Sequence, residues 1–445
     1  MFSWLKGCLN VCSIKSYFSN KPIIYYMNDS GIPELSKEVP VQSRVMLPYN
    51  VKNYVGGGYP FKSSEGRAAQ TFTVVTETLK WVEKHAPYPL KRWASQKPLA
   101  VDPEAGKDIN AYYWRKGVKF FYYGDFYTSE SSDIVAHELG HGILDSYRPK
   151  TWNVQSLELW SFHEAFADIT SIITTLQNEE VIDYILNKSS FQKDNVASRI
   201  GEEIGSLLFQ KTEGKGGRNP YFLRNASIKY EYVDPTTLPT NGTYETISAE
   251  CHSFGRVMLG ALYEIAYRFY IQQIARGLQP KEAIVVSRNL LSKYLLEAIT
   301  IVPIKTKFYK NFAQTMMWVA EKYNKKHANI IRKVFQDWKI VFKNDIKMLS
   351  DFQILDKIDT GDVETIILSK EIEIGTLAHN PLYELEIEIP LEKSRFKKTE
   401  NIDRQEGINS AIKCLDYLHS NNLVGSDDKT PFEVVNNKLV RTYID

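Results

Sequence analysis

Two histidines four positions apart, with a glutamate beside the first, are the residues of this sequence best suited to chemistry. They stand in the apolar segment Ile134–Leu144, which reads IVAHELGHGIL. On a helix of 3.6 residues per turn, positions i and i+4 lie one above the other, so the imidazoles of His137 and His141 can bind one metal ion. Glu138 lies about 100° round the helix axis, where its carboxylate can take a proton from a water. The segment therefore predicts a zinc site built for hydrolysis.

A bare match to this motif also fits two ordinary histidines on a surface or core helix, so a further donor is needed. A catalytic zinc site takes three protein ligands and leaves a fourth position open. Glu164 can supply the third ligand, because it lies in a second apolar segment, Phe162–Ile169, that continues at helical spacing. Asp168 follows one turn later, where it can accept the outer N–H of a ligand histidine. Both could instead belong to a solvated acidic face, but their apolar neighbours disfavour that reading.

With these ligands in place, the chain resembles the thermolysin-like and fungalysin-like metallopeptidases, the gluzincins, whose zinc is held by two histidines and a glutamate. Further segments resemble parts of that family in the family's own order, over roughly residues 60 to 275. These segments are Ile109–Trp114, similar to the edge strand along the substrate cleft; Tyr123–Asp125, similar to the turn after it; Ile200–Glu203 and Leu223–Ala226, similar to the segments bordering the leaving-group side; and His252–Gly255, similar to the start of a long helix.

The resemblance implies a catalytic role for each matched position. His137, His141 and Glu164 would hold one Zn²⁺, and Glu138 would be the general base. His252 would donate a hydrogen bond to the oxyanion that forms when water attacks the peptide carbonyl.

The resemblance also implies which residues would bind substrate. Arg224 would hold the region of the scissile carbonyl, and the side chain of Asn110 with the backbone of Ala111 would grip an extended peptide. The residues that would form the pocket for the side chain after the cut bond are Ile134, Ile200 and Leu223. Because all three are apolar, the expected activity is an endopeptidase that cuts before bulky hydrophobic residues.

Some positions depart from the family pattern. His163 stands where the family commonly has asparagine, and it could be a hydrogen-bond donor to His141 or a competing ligand. The acidic partner expected just before His252 has two candidates, Glu245 and Glu250.

The family's calcium sites are only partly represented in this chain. Asp133 and Glu202 fit, but Thr175 stands where a carboxylate would be wanted. Since Ca²⁺ takes six or more oxygen ligands, a tight double calcium site is not expected.

Two other functional classes use the same residues. A zinc hydrolase of a non-peptide amide would carry the same ligands and base, and would differ in which substrates enter the cleft. A catalytically inactive binding protein on this fold would be expected to lose Glu138, which is present. The peptidase is therefore the preferred interpretation.

Composition sets the class of protein. The chain has 445 residues, 43% of them hydrophobic and 24% charged, as in soluble globular proteins of two or three domains. A net charge of +2 gives no field that would favour nucleic acid as a partner. The expected partner is a protein or peptide substrate, and the chain is expected to be a monomer. Four scattered cysteines leave metal binding to histidine and carboxylate.

The N-terminus makes a poor secretory signal, because Asn10 and Ser13 interrupt its apolar run and no clear small-residue cleavage site follows. The sequence also lacks the run of about 20 apolar residues that a membrane span needs. A cytoplasmic or non-classically exported protein is the resulting expectation, although relatives are usually secreted.

Hydrophobic periodicity places the motifs on elements. It predicts a helix over residues 68–85, a strand pair over 109–123, a helix that begins near Ser131 or Ser132 and ends before Pro149, and a long helix over 252–276. Near the C-terminus, Tyr383–Ile389 alternates apolar and acidic residues as a half-buried strand does, and a helix through residues 408–418 follows.

The predicted fold class is α+β, a two-lobed metallopeptidase with the zinc cleft between its lobes. The predicted ranges are 1–25 for an N-terminal tail, 26–130 for a strand-rich lobe, 131–345 for a helical lobe with the zinc site, and 346–445 for a small α/β accessory module.

Overall fold

The structure is a computed structural model of the whole chain. It describes residues 23–26, 36–39, 45–54, 62–215, 218–342, 362–369, 384–391, 397–425 and 430–444. The predicted tail lies outside the described residues as far as position 22. The predicted domain limits stay a prediction.

Helices and strands are mixed along the described part of the chain, and the predicted α+β class is confirmed. The helices are α1 (Ser64–His85), α2 (Ser132–Tyr147), α3 (Leu157–Thr175), α4 (Glu179–Lys188), α5 (Glu202–Thr212), α6 (Cys251–Ile274), α7 (Pro280–Ile301), α8 (Phe308–Tyr323), α9 (Lys325–Asp337) and α10 (Lys397–Ser420). The strands are β1 (Ile23–Tyr26), β2 (Ser36–Val39), β3 (Tyr49–Val51), β4 (Leu99–Asp102), β5 (Ala111–Tyr113), β6 (Gly117–Phe120), β7 (Tyr122–Tyr123), β8 (Phe126–Tyr127), β9 (Arg199–Ile200), β10 (Arg224–Asn225), β11 (Asp362–Ser369), β12 (Glu384–Leu391), β13 (Val424–Gly425), β14 (Phe432–Val435) and β15 (Lys438–Arg441).

A four-stranded sheet, in the order β3-β4-β6-β5, lies beside the motif helices. Strands β3, β4 and β6 are parallel, while β5 runs antiparallel to β6 with Ala111 opposite Phe120 and Tyr113 opposite Val118. The predicted strand pair over 109–123 is confirmed. Because β5 is the last strand of this order, one of its edges faces away from the sheet.

The two helices that carry the predicted ligands pack closely. Residues of both are mostly buried, as expected for segments that are apolar on several faces. Their approach depends on Gly140, because a Cβ atom added there would lie 2.7 Å from Cα of Ala167 on α3. A larger residue at either contact position would push the helices apart.

Residues from the C-terminal part of the chain form a five-stranded sheet. This sheet contacts the segment before α3 and also Trp160 in the first turn of α3. This sheet has the order β11-β12-β15-β14-β13. The predicted acidic strand is confirmed as β12, in which Ile387 and Ile389 are buried; Tyr383 lies outside the described residues. The N–H of Gln155 donates to the carbonyl of Glu388 at 2.7 Å, so the segment between α2 and α3 is tied to β12.

The described helices include none with enough length and apolar character to serve as a membrane span.

Candidate metal centre

Three buried side chains from α2 and α3 converge on one point. Nε2 of His137 lies 3.1 Å from Nε2 of His141, and Oε2 of Glu164 lies 3.5 Å from the first nitrogen and 3.7 Å from the second. All three side chains are at most 5% exposed. The group could hold a metal ion, and we call the position that the three atoms surround the metal point.

The spacing of these atoms fits a tetrahedral ion. With ligand bonds of about 2.0–2.2 Å, neighbouring ligand atoms of a tetrahedral zinc site lie roughly 3.4 Å apart. The three observed separations bracket that value. Two imidazole nitrogens and one carboxylate oxygen are also donors of the types that zinc prefers. The residues present therefore fit a metal with three protein ligands.

A buried aspartate and a buried arginine stand behind His137. Oδ1 of Asp168 lies 2.7 Å from Nδ1 of His137. Arg224 donates to the same carboxylate from Nε at 2.6 Å and from Nη2 at 2.8 Å. With Asp168 holding Nδ1, Nε2 of His137 is directed at the metal point, as in carboxylate–histidine–metal triads. The guanidinium compensates the buried negative charge of Asp168.

The electrostatics keep both carboxylates ionised. Burial opposes ionisation of Glu164, yet the imidazoles of His252 and His141 hold the pKa of its carboxyl well below the usual value. Burial also opposes ionisation of Asp168, but Arg224 and His137 lower its pKa to about 2.

The two ligand histidines differ in protonation. Burial lowers the pKa of His141 well below its ordinary value, so this imidazole is neutral. Burial would also lower the pKa of His137, but Asp168 more than offsets this and raises it to about 9. A metal ion would therefore compete with a proton at His137.

His252 approaches the centre from the first turn of α6. Its Nε2 lies 3.1 Å from Oε2 of Glu164, and its Nδ1 lies 2.6 Å from Oε1 of Glu250. Glu250 also caps α6, because its carboxylate accepts the backbone N–H groups of His252 and Ser253. Of the two acidic candidates named above, Glu250 is the partner of His252.

Cys251 belongs to a second group that could hold a metal. Glu164, Cys251 and His252 offer ligand atoms within 4.8 Å of one another. Burial raises the pKa of the Cys251 thiol to about 12, so it remains protonated at neutral pH. Because a thiol binds metal as the thiolate, the histidine pair with Glu164 is the better site.

A cavity of about 750 Å³ opens beside the metal point. Its lining includes the predicted substrate-binding residues Asn110, Ala111, Ile134, Ile200, Leu223 and Arg224, together with His137, Glu138 and His252. Ile204, Leu208 and Phe222 add apolar surface, and Arg256 and Tyr417 also line it. Positions that are far apart in sequence thus surround one cavity.

The structure corrects the sequence expectation for His163 and adds a contact to the expectation for Arg224. His163 is buried, but its ring stacks near that of His141, with centroids 5.7 Å apart, and no described residue forms a hydrogen bond with either of its nitrogens. It is therefore neither a hydrogen-bond donor to His141 nor part of either candidate metal group; burial lowers its pKa to about 3. Arg224 gives two of its N–H groups to Asp168, so it anchors that carboxylate besides lining the cavity.

The carboxylates considered for calcium have protein partners. Asp133 accepts the backbone N–H of Ile134 at 2.9 Å and that of Gly201 at 2.7 Å. Glu202 pairs with Arg199 at 3.1 Å. Neither belongs to the candidate metal groups of the described residues.

Sequence reasoning missed the contributions of Arg256 and Tyr417 to the cavity. Arg256 lies one helical turn after His252, so its spacing was a usable signal. Tyr417 lies on α10, and nothing in its local sequence indicates that α10 reaches the cavity.

Comparison with solved structures gives likenesses to this chain, whereas comparison with known sequences does not. No protein-family model matches the chain, and no curated protein matches its sequence. Among solved structures, the chain is similar to the precursor of protealysin, a metalloproteinase from Serratia proteamaculans, at a TM-score of 0.41 and 14% identity. The match covers 72% of this chain and 87% of that one.

Proposed function

We propose that this chain is a zinc-dependent endopeptidase with Glu138 as its general base. The observation that carries the proposal is the convergence of His137, His141 and Glu164 on one point beside a cavity that Glu138 also lines. Three protein ligands leave a coordination position for catalysis, whereas structural zinc sites are usually closed by four. The cavity is taken to lie between a strand-rich lobe, residues 26–130, and a helical lobe, residues 131–345.

The residues around the point divide the chemistry between them. A zinc ion in this ligand set would lower the pKa of a water and polarise a carbonyl. Glu138 takes the proton of the attacking water and delivers it to the departing amine. His252, held through Nδ1 by Glu250, donates from Nε2 to the oxyanion. Asp168 orients His137 through its Nδ1.

Substrate recognition follows from the cavity lining. Asn110 and Ala111 hold an extended peptide along the edge of β5, as a strand partner would. Ile134, Ile200 and Leu223 receive the side chain after the cut bond. Because this part of the cavity is apolar, we expect cleavage before bulky hydrophobic residues.

The test combines metal analysis with cleavage mapping. Elemental analysis of the purified chain should give one zinc per chain, and mass spectrometry of a digested peptide library should find leucine, isoleucine or phenylalanine after the cut bonds. Glu138→Gln should retain zinc while kcat falls on the order of 10²- to 10⁴-fold. A zinc-loaded chain that cuts no peptide would refute the peptidase assignment. Full activity in Glu138→Gln would refute the assigned base.

A further inference from the structure

The outer edge of β5 is already occupied at one end by this chain's own C-terminal residues. The N–H of Tyr113 donates to the carbonyl of Ile444 at 2.9 Å, and the N–H of Ile444 donates to the carbonyl of Tyr113 at 2.8 Å. This reciprocal pair is the bonding of two antiparallel strands. Residue 444 thus lies on the side of β5 opposite to β6.

The same edge of β5 continues into the cavity. Backbone groups of alternate residues in a strand point the same way, so the carbonyl of Ala111 faces the edge on which Tyr113 pairs with Ile444. Tyr112, between them, pairs with Lys119 of β6. Ala111 lines the cavity with His137 and Glu138. The edge therefore has an inner position at Ala111 and an outer position covered by Ile444.

The direction of pairing decides which part of a peptide would meet the covered position. β5 is antiparallel to both of its neighbours, β6 and the segment that contains Ile444. A substrate added in the same sense runs from Tyr113 towards Ala111. The substrate residue opposite Tyr113 comes two positions before the residue opposite Ala111. It would therefore need the place that Ile444 holds.

The segment is fixed by several contacts. The ring of Tyr443 stacks on that of Tyr112, with centroids 4.5 Å apart. Nε1 of Trp152 donates to the carbonyl of Arg441 at 3.0 Å, and the N–H of Arg441 donates to Oδ1 of Asn153 at 3.2 Å. Tyr443 and Ile444 are 8% and 5% exposed. Such burial indicates a segment that is packed in place, and we call Tyr443 and Ile444 together the wall.

We propose that Tyr443 and Ile444 occupy the Tyr113 end of the substrate groove, so that substrate residues beyond this point gain no backbone hydrogen bonds from β5. This inference rests on the proposed peptidase function. It assigns to the C-terminal segment a role in specificity, because the segment takes the backbone hydrogen bonds that a longer peptide would use.

The test is a peptide series with a constant sequence after the cut bond and one to five residues before it. For the wild type, kcat/KM should stop rising once a residue would reach Tyr113. Ile444→Pro lacks the N–H that bonds Tyr113, and its matched control Ile444→Ala keeps it. Opening the edge should raise kcat/KM for the longest peptide about tenfold in Ile444→Pro, as expected for regained backbone hydrogen bonds.

A second variant that ends after Thr442 removes the wall without placing a proline, and melting temperature and zinc content show that each variant is folded. Equal length profiles in the wild type, Ile444→Pro and the shortened chain would overturn the wall, as would an Ile444→Ala profile that matches that of Ile444→Pro. If no enzyme cuts any peptide of the series or of the library, the peptidase proposal fails, and the wall fails with it.

Discussion

At the residue scale, His137 has a different partner on each ring nitrogen. Nδ1 faces Asp168 at 2.7 Å, and Nε2 faces His141 and Glu164 at the metal point. The position of this ring thus depends on a carboxylate that does not itself reach the metal point. Arg224 in turn holds that carboxylate with two hydrogen bonds.

Replacing the carboxylate by an amide should weaken both metal binding and folding. Asp168→Asn removes the charge that Arg224 compensates, and loss of one partner of a buried ion pair costs about 3–5 kcal/mol. Replacement of the charged acceptor at His137 by an amide should lower metal affinity about 10- to 100-fold. Denaturant unfolding and competition with a chelator measure the two effects.

The matched control is Asp145→Asn. Asp145 is a buried aspartate on α2, and it also pairs with an arginine, Arg115. Its change should lower stability and leave metal affinity within about twofold. Equal losses of metal affinity in the two variants would contradict the role given to Asp168.

The sequence carries some of these relations and not others. Helix geometry places His137 and His141 on one face because they are four residues apart, and it does the same for Glu164 and Asp168. The ion pair of Asp168 with Arg224 joins residues far apart in the chain, and no periodic pattern encodes it. Glu250 was one of two candidates because the carboxylate that faces His252 depends on how α6 begins.

At the element scale, the ligand set depends on the contact between α2 and α3. Gly140 lies next to His141, a proposed ligand, and its missing side chain lets α3 approach at Ala167. α6 makes a similar approach, since a Cβ atom at Gly255 would lie 3.2 Å from Cβ of Glu164. Glycine at both positions thus lets helix backbones come near the ligands.

Gly140→Ala should separate α2 from α3 and disturb the metal site. The new methyl group would meet the backbone Cα of Ala167, which cannot rotate away, so we expect a loss of about 1–3 kcal/mol of stability from overpacking. Metal affinity should fall as well, because His141 and Glu164 move apart. Thermal unfolding of the metal-free chain and metal titration measure the two effects.

Gly142→Ala provides the control on the same helix. Its methyl group would meet the rings of Tyr113 and Trp93 at 3.1 and 3.2 Å, side chains that do not belong to α3. Metal affinity should stay close to that of the wild type. A Gly140→Ala chain with unchanged metal affinity would show that the ligands do not depend on this approach.

Periodicity in the sequence predicted which segments form helices and strands, but it did not predict which other segments they contact. The helix over 68–85 begins four residues earlier than expected, at Ser64, because Ser63 caps it by accepting the N–H of Gly66. The alternation in β12 indicated a half-buried strand, but it cannot say that the backbone of Glu388 bonds Gln155. Such pairings depend on tertiary packing.

At the scale of the whole molecule, one buried carboxylate joins three parts of the chain. Glu158 of α3 accepts the hydroxyl of Tyr232 and the backbone N–H of Tyr309 on α8, both at 2.6 Å. Burial raises its pKa from the ordinary 4.5 to about 7. The folded chain therefore holds a proton there that the unfolded chain has released between these two values.

Global stability should consequently depend on pH through Glu158. Because the folded chain has the higher carboxyl pKa, protonation of Glu158 contributes its full stabilisation below pH 4.5. This contribution is lost as pH rises towards 7. The loss is on the order of 3 kcal/mol across the window. Urea unfolding of the metal-free chain at several pH values should show this slope, and Glu158→Gln should flatten it. An unchanged slope in the variant would assign the effect to other groups.

The three proposed metal ligands come from one continuous stretch, residues 137–164, whereas Arg224 and His252 join them from much later in the chain. Contacts between residues that are near in sequence form early during folding, since little loop entropy opposes them. A hairpin of α2 and α3 can thus capture its ion before the rest of the cavity exists. An ion bound there would stabilise the packing of α2 on α3 and so favour folding of this hairpin.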